Sequence, residues 1–115
     1  MDFEQLADHL GLEEKEFIDL VFLYIRTTLS DMDVMESAIN GKESEQVAFA
    51  AHSIKGASEN LGFDDISVIA KSIEQKGREN DLGNSLKECQ ILRERIEDIK
   101  KSVHNRIGEC TVQRM

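Results

Sequence analysis

His52, Lys55 and Gly56 place a nucleophile, a cation and a missing side chain within about one helical turn. An exposed imidazole, whose ordinary pKa is about 6.5, is largely neutral at pH 7. A neutral ring keeps one nitrogen lone pair free and can attack an activated phosphoryl group. Lys55 stands at i+3, a neighbouring position on a helix. Its ammonium can there meet the charge of a phosphoryl group. Gly56, at i+4, leaves the space beside the imidazole without a side chain. Glycine inside a helix costs about 1 kcal/mol relative to alanine. Close approach by another molecule would account for that cost.

A helix must hold these residues, and the pattern around them predicts one. Val47, Ala50, Ala51, Ile54, Ser58 and Leu61 recur at helical spacing and define a buried stripe. At about 100° per residue, His52 falls about 140° from that stripe and Gly56 about 180°. The imidazole is therefore expected on the solvent side. Phe49 lies on the same outer half and Ala48 is small, so both are candidate docking residues. Glu59, about 120° from the stripe, is a third. It is also an i+4 ion-pair partner for Lys55. A general-base role for Glu59 is not expected, because a neutral imidazole has no proton to lose from its attacking nitrogen.

The sequence resembles the histidine-containing phosphotransfer domain family at these residues. The family pattern His-x-x-Lys-Gly, with a second glycine six residues later, stands here as His52, Lys55, Gly56 and Gly62. Ile54 and Leu61 occupy its apolar positions. The resemblance extends over roughly residues 3–107. It implies an all-α protein, an antiparallel up-down-up-down four-helix bundle with a short extra N-terminal helix. It implies that His52 accepts a phosphoryl group at Nε2 from an aspartyl-phosphate on a response-regulator receiver domain and passes it to another receiver. Lys55 would assist electrostatically and Gly56 would admit the receiver. The resemblance assigns no role to Phe49 or Glu59. A magnesium ion would belong to the receiver, and no cofactor to this chain.

The remaining chain supplies the other elements. Residues 2–10 read as a short amphipathic helix capped by Asp2, with Phe3, Leu6, Ala7 and Leu10 on one face and Gly11 at its end. A long helix is predicted from about Glu13 to Asn40, with its weakest point at Thr27–Asp31 and a stop at Asn40-Gly41. The His52 helix starts at Glu43 or Ser44 and ends near Leu61, with Gly62 as a left-handed cap. Asp64 is expected to cap a helix over 65–77 that Gly77 ends. The last helix spans 85–107 on Leu86, Cys89, Leu92, Ile96, Ile99, Val103 and Ile107. Gly108 would stop it, leaving a domain over 1–108 and a fraying tail over 109–115. Met32 and Met35 read as core filler, and His9 and His104 as surface residues.

Composition excludes several classes. The chain has 115 residues, no proline, no tryptophan and a net charge of −9. That charge argues against nucleic acid and against anionic membrane surfaces. No apolar run approaches the ~20 residues of a spanning helix, and no signal peptide opens the chain. Cys89 and Cys110 form no CxxC pair, and Cys89, in an apolar stripe, reads as a reduced core thiol of a cytoplasmic protein. The three histidines lack zinc-type spacing. No glycine-rich nucleotide loop is present, so the reading is a phosphocarrier without its own ATP site. Two alternatives stand beside it. One is a phospho-accepting domain of a hybrid sensor or chemotaxis-type histidine kinase. The other is a helical adaptor that is not phosphorylated. The start at Met1 without a linker leans toward a free-standing protein.

Overall fold

The computed structural model describes the backbone of residues 2–114 and the side chains of 2–107. Five helices follow in order: α1 (Phe3–His9), α2 (Glu14–Asn40), α3 (Ser44–Leu61), α4 (Asp64–Arg78) and α5 (Ser85–Arg114). There is no strand among the described residues.

The ends of the helices follow local chemistry. Asp2 accepts from the Gln5 amide at 3.0 Å and starts α1. Gly11, at φ +71°, turns the chain out of it. Gly62 closes α3 at φ +82°, a left-handed conformation that strains a residue carrying a Cβ. The turn brings Phe63 inward against Tyr24, with ring centroids 5.2 Å apart.

The long helix predicted from about Glu13 to Asn40 is borne out, and three expectations about helix ends need correction. The α2 helix runs unbroken through Thr27–Asp31. Thr27 bonds back to the Leu23 carbonyl, and Thr28 is buried, so packing outweighs weak propensity. Asp64 is not the cap of α4; Phe63 holds that position, and Asp64 and Asp65 lie in the first turn, facing the positive helix end. Gly77 does not end α4 but is buried within it, and Glu79 is the C-cap. Finally, α5 continues through Gly108 to Arg114. A glycine weakens a helix by about 1 kcal/mol without having to stop it. The side chains of 108–115, Cys110 among them, lie outside the described residues; the backbone of the expected fraying tail is helical as far as Arg114.

The long helices form a closed ring. α3 packs on α2 and α4, α5 packs on α2 and α4, and α1 lies on α2. The core is built from Phe17, Val21, Met32, Met35, Val47, Ala51, Ile54, Ile66, Ile73, Leu92, Ile96 and Val103. Leu10 and Leu86, expected on apolar faces, are exposed instead. Contacts rise along one helix as they fall along its neighbour. Tyr24 meets Ser58 and Asp31 meets Ser53; Glu59 meets Ser67; Asp65 meets Arg95 and Lys76 meets Glu88; Glu14 meets Arg106 and Glu36 meets Arg93. The buried Tyr24–Ser58 pair, 2.7 Å apart, is satisfied because Ser58 donates onward to the Ile54 carbonyl. Burial pushes the Tyr24 hydroxyl up to about 12, so it stays protonated.

Candidate functional site

His52 sits at the middle of α3 with its side chain 61% exposed. The helical phase therefore places it where the apolar stripe predicts. Its environment comes from α4. Glu74, only 6% exposed, brings both carboxylate oxygens to the α3–α4 seam. Oε2 lies 2.8 Å from His52 Nδ1 and accepts from an Arg78 guanidinium nitrogen at 2.7 Å. Oε1 lies 2.9 Å from Lys55 Nζ.

This cluster decides the state of the ring. Burial works against a charged Glu74, but hydrogen bonds from Lys55 and His52, with the charges of Lys55 and Arg78, outweigh it and hold the carboxyl below its ordinary range. An ionised carboxylate can only accept, so Nδ1 carries the proton. A neutral ring then has its lone pair on Nε2, on the opposite side from Glu74. The ring is both oriented and left with a nucleophilic nitrogen away from the buried carboxylate.

The seam can be this close because two small residues meet there. A Cβ placed on Gly77 would come within 2.9 Å of the Ala48 nitrogen and 3.0 Å of the Ser44 carbonyl oxygen. Ala48, one turn before His52, thus packs against Gly77, one turn after Glu74. This corrects the reading of Ala48 as an exposed docking residue: it is buried and sets the helix spacing. Gly56 behaves differently. A Cβ built on it would find no atom within 4 Å.

The other candidates separate as follows. Phe49 is 81% exposed, a large apolar side chain one turn from the imidazole. Glu59 is exposed but accepts from the Ser67 hydroxyl at 3.2 Å rather than pairing with Lys55. The expected i+4 pair is displaced by the better-buried carboxylate of Glu74. Two shallow hollows flank the ring. One, of about 450 Å³, is lined by Ala48, Phe49, Gly77 and Arg78. The other, of about 280 Å³, is lined by Lys55, Lys71, Glu74 and Arg78.

Sequence reasoning missed Glu74, Arg78 and Lys71. Glu74 had left a signal: it follows Ile73 and sits four residues after Ala70, on the edge of the apolar stripe of α4. A carboxylate there must find donors when the helix packs. Among the described residues no group of three or more His, Cys, Asp and Glu could hold a metal ion. Cys89 is buried, and burial together with Glu36 pushes its thiol up to about 12, too high for a thiolate at neutral pH.

The chain was compared with known proteins. The family model described as Hpt domain matches residues 19–102. Among solved structures, the crystal structure of histidine-containing phosphotransfer protein B (HptB) from Pseudomonas aeruginosa PAO1 is similar at a TM-score of 0.82, with 17% identity and 95% of each chain covered. No curated protein matches the chain. The structural likeness is one of fold, but the family match takes in nearly all of α2, the whole of α3 and α4, and most of α5, and on that match the chain belongs to the Hpt domain family.

Proposed function

We propose that this protein is a phosphorelay intermediate of two-component signalling in which His52 Nε2 carries the phosphoryl group. Membership of the Hpt family supports a phosphotransfer role. The observation that carries the site assignment is the 2.8 Å contact between His52 Nδ1 and the buried Glu74. We read the ring of helices as the antiparallel up-down-up-down four-helix bundle, with α1 as the short extra helix.

The step needs little covalent chemistry from the protein beyond one nitrogen. The Nε2 lone pair attacks the phosphorus of a receiver's aspartyl-phosphate. The Nε2–P bond forms as the bond from phosphorus to the acyl oxygen breaks, and the receiver recovers its carboxylate. The Nδ1 proton stays in place. The ring becomes cationic as the bond forms, and the Glu74 carboxylate is already aligned to stabilise that charge. Lys55, Lys71 and Arg78 supply positive charge around the incoming phosphoryl group. Reversal at a second receiver empties the site.

Gly56 leaves room for the receiver, and Phe49 offers it an apolar contact. Glu59, held by Ser67, lies at the edge of that surface. The receiver supplies the magnesium ion and the acidic pocket. With no nucleotide loop in its sequence, the chain is a carrier that takes phosphate from receivers, or from a hybrid sensor histidine kinase. Among the described residues no helix is long and apolar enough to cross a membrane, and we place the protein in the cytoplasm.

The test is transfer from a phosphorylated receiver. Wild type should gain acid-labile, alkali-stable phosphate, and His52→Gln should gain none. Label surviving in His52→Gln would remove the assignment.

A further inference from the structure

A second surface lies on the seam between α2 and α5. Phe22 and Leu29 stand partly open over the buried Ile25, forming the apolar floor of a hollow of about 640 Å³. Arg26, Lys100 and His104 stand around it. The His104 ring meets Phe22 edge-on, with centroids 6.1 Å apart and planes at 86°. Asp33, the one acidic residue in the lining, is engaged by Arg93 at 2.9 Å. Arg26 and Lys100 form no ion pair among the described residues. The hollow shares no residue with either one beside His52.

We propose that this groove docks an acidic amphipathic helix from a partner protein, at a site separate from the phosphoryl-carrying face. The floor takes apolar side chains spaced along one helix face. The unpaired cations at its rim take carboxylates from the flanks of that helix. The strongly acidic remainder of the chain does not forbid this, since charges farther than a Debye length of ~8 Å are largely screened at physiological salt. A second copy of this chain fits poorly. Two-fold pairing through this groove would bring two cationic rims together. Nucleic acid is excluded by the small extent of the basic rim. Because the groove lies on the other helix pair, it can be filled while His52 exchanges phosphate.

The probe is a synthetic helical peptide with leucines at i, i+3, i+4 and i+7 flanked by glutamates, titrated into the isotope-labelled full chain and followed by NMR. Amide shifts should move on α2 and α5 around Arg26 and Lys100 and stay still around His52. The double variant R26E/K100E should bind at least about tenfold more weakly. Arg26 is exposed, so R26E alone keeps the fold and should weaken binding by about threefold. The same peptide with lysines for glutamates should bind at least about tenfold more weakly. Phosphoryl transfer to His52 should proceed at its normal rate with the peptide bound. No shifts, shifts centred on Phe49 and His52, equal binding of both peptides, or full binding by R26E would overturn the proposal. Groove shifts that track the chain's own concentration without peptide would assign the surface to a second copy instead.

Discussion

The two sides of α3 use small residues for opposite ends. On its seam with α4, Ala48 and Gly77 bring the backbones so close that one added methyl group would collide with main-chain atoms. On the outer side, Gly56 borders open space, where an added methyl group touches nothing. The first glycine serves the fold and the second serves nothing within the chain. His52 belongs to both regions, anchored on the seam through Nδ1 and open on the other side. Changes on the outer side should therefore alter transfer without destabilising the fold, and changes on the seam should alter both.

The sharpest break in that comparison is His52→Gln. It should abolish phosphorylation while shifting the thermal midpoint little, because the ring is largely exposed. A large loss of stability measured by calorimetry would mean that His52 is part of the scaffold. Next comes Gly77→Val, which must force α3 and α4 apart. It should cost about 3 kcal/mol in denaturant unfolding and slow transfer through loss of the Glu74 contact. An unchanged midpoint would contradict the close seam. Glu74→Gln keeps an acceptor oxygen but removes the charge, and its amide can also donate to Nδ1. Transfer should fall on the order of tenfold to a hundredfold, read in single-turnover assays. Gly56 should give no loss of stability. Gly56→Ala should stabilise the helix by about 1 kcal/mol. Gly56→Leu should be at least as stable as wild type and lose transfer; normal transfer by that variant would show that no partner approaches there.

Acid sharpens the same contrast. The Glu74 carboxyl titrates below its ordinary 4.5 in the folded protein. Its contribution to stability is therefore present above that ordinary value and is lost as pH falls through the lowered one. Stability of Glu74→Gln should depend less steeply on pH across that acid range than wild type, as measured by urea unfolding.

Much of the outer side was legible in the sequence. His52, Gly56 and Phe49 declare themselves by helical phase, because a stripe of apolar residues fixes which direction is outward. The left-handed cap at Gly62 was legible for a similar reason, since glycine before a new helix has few other uses. The seam was not. Whether Gly77 ends a helix or packs inside one depends on Ala48, twenty-nine residues earlier in the sequence. The partner of Lys55 shows why local spacing fails: Glu59 is near in sequence, but Glu74 is buried and can hold the amine with less competition from water. Arg78 and Lys71 look like ordinary surface cations until α4 is laid against α3. The helix past Gly108 exposes the same limit, because glycine punctuates a helix only where the backbone leaves the helical region.

The most direct test is nitrogen-detected NMR of the His52 ring before and after phosphorylation by a receiver. Before transfer, the proton should reside on Nδ1 with a bare Nε2; afterwards, phosphorus should couple to Nε2 while Nδ1 keeps its proton. A resting ring protonated on Nε2, or a phosphoryl group found on Nδ1 or on any other residue, would contradict the mechanism drawn from the Glu74 anchor.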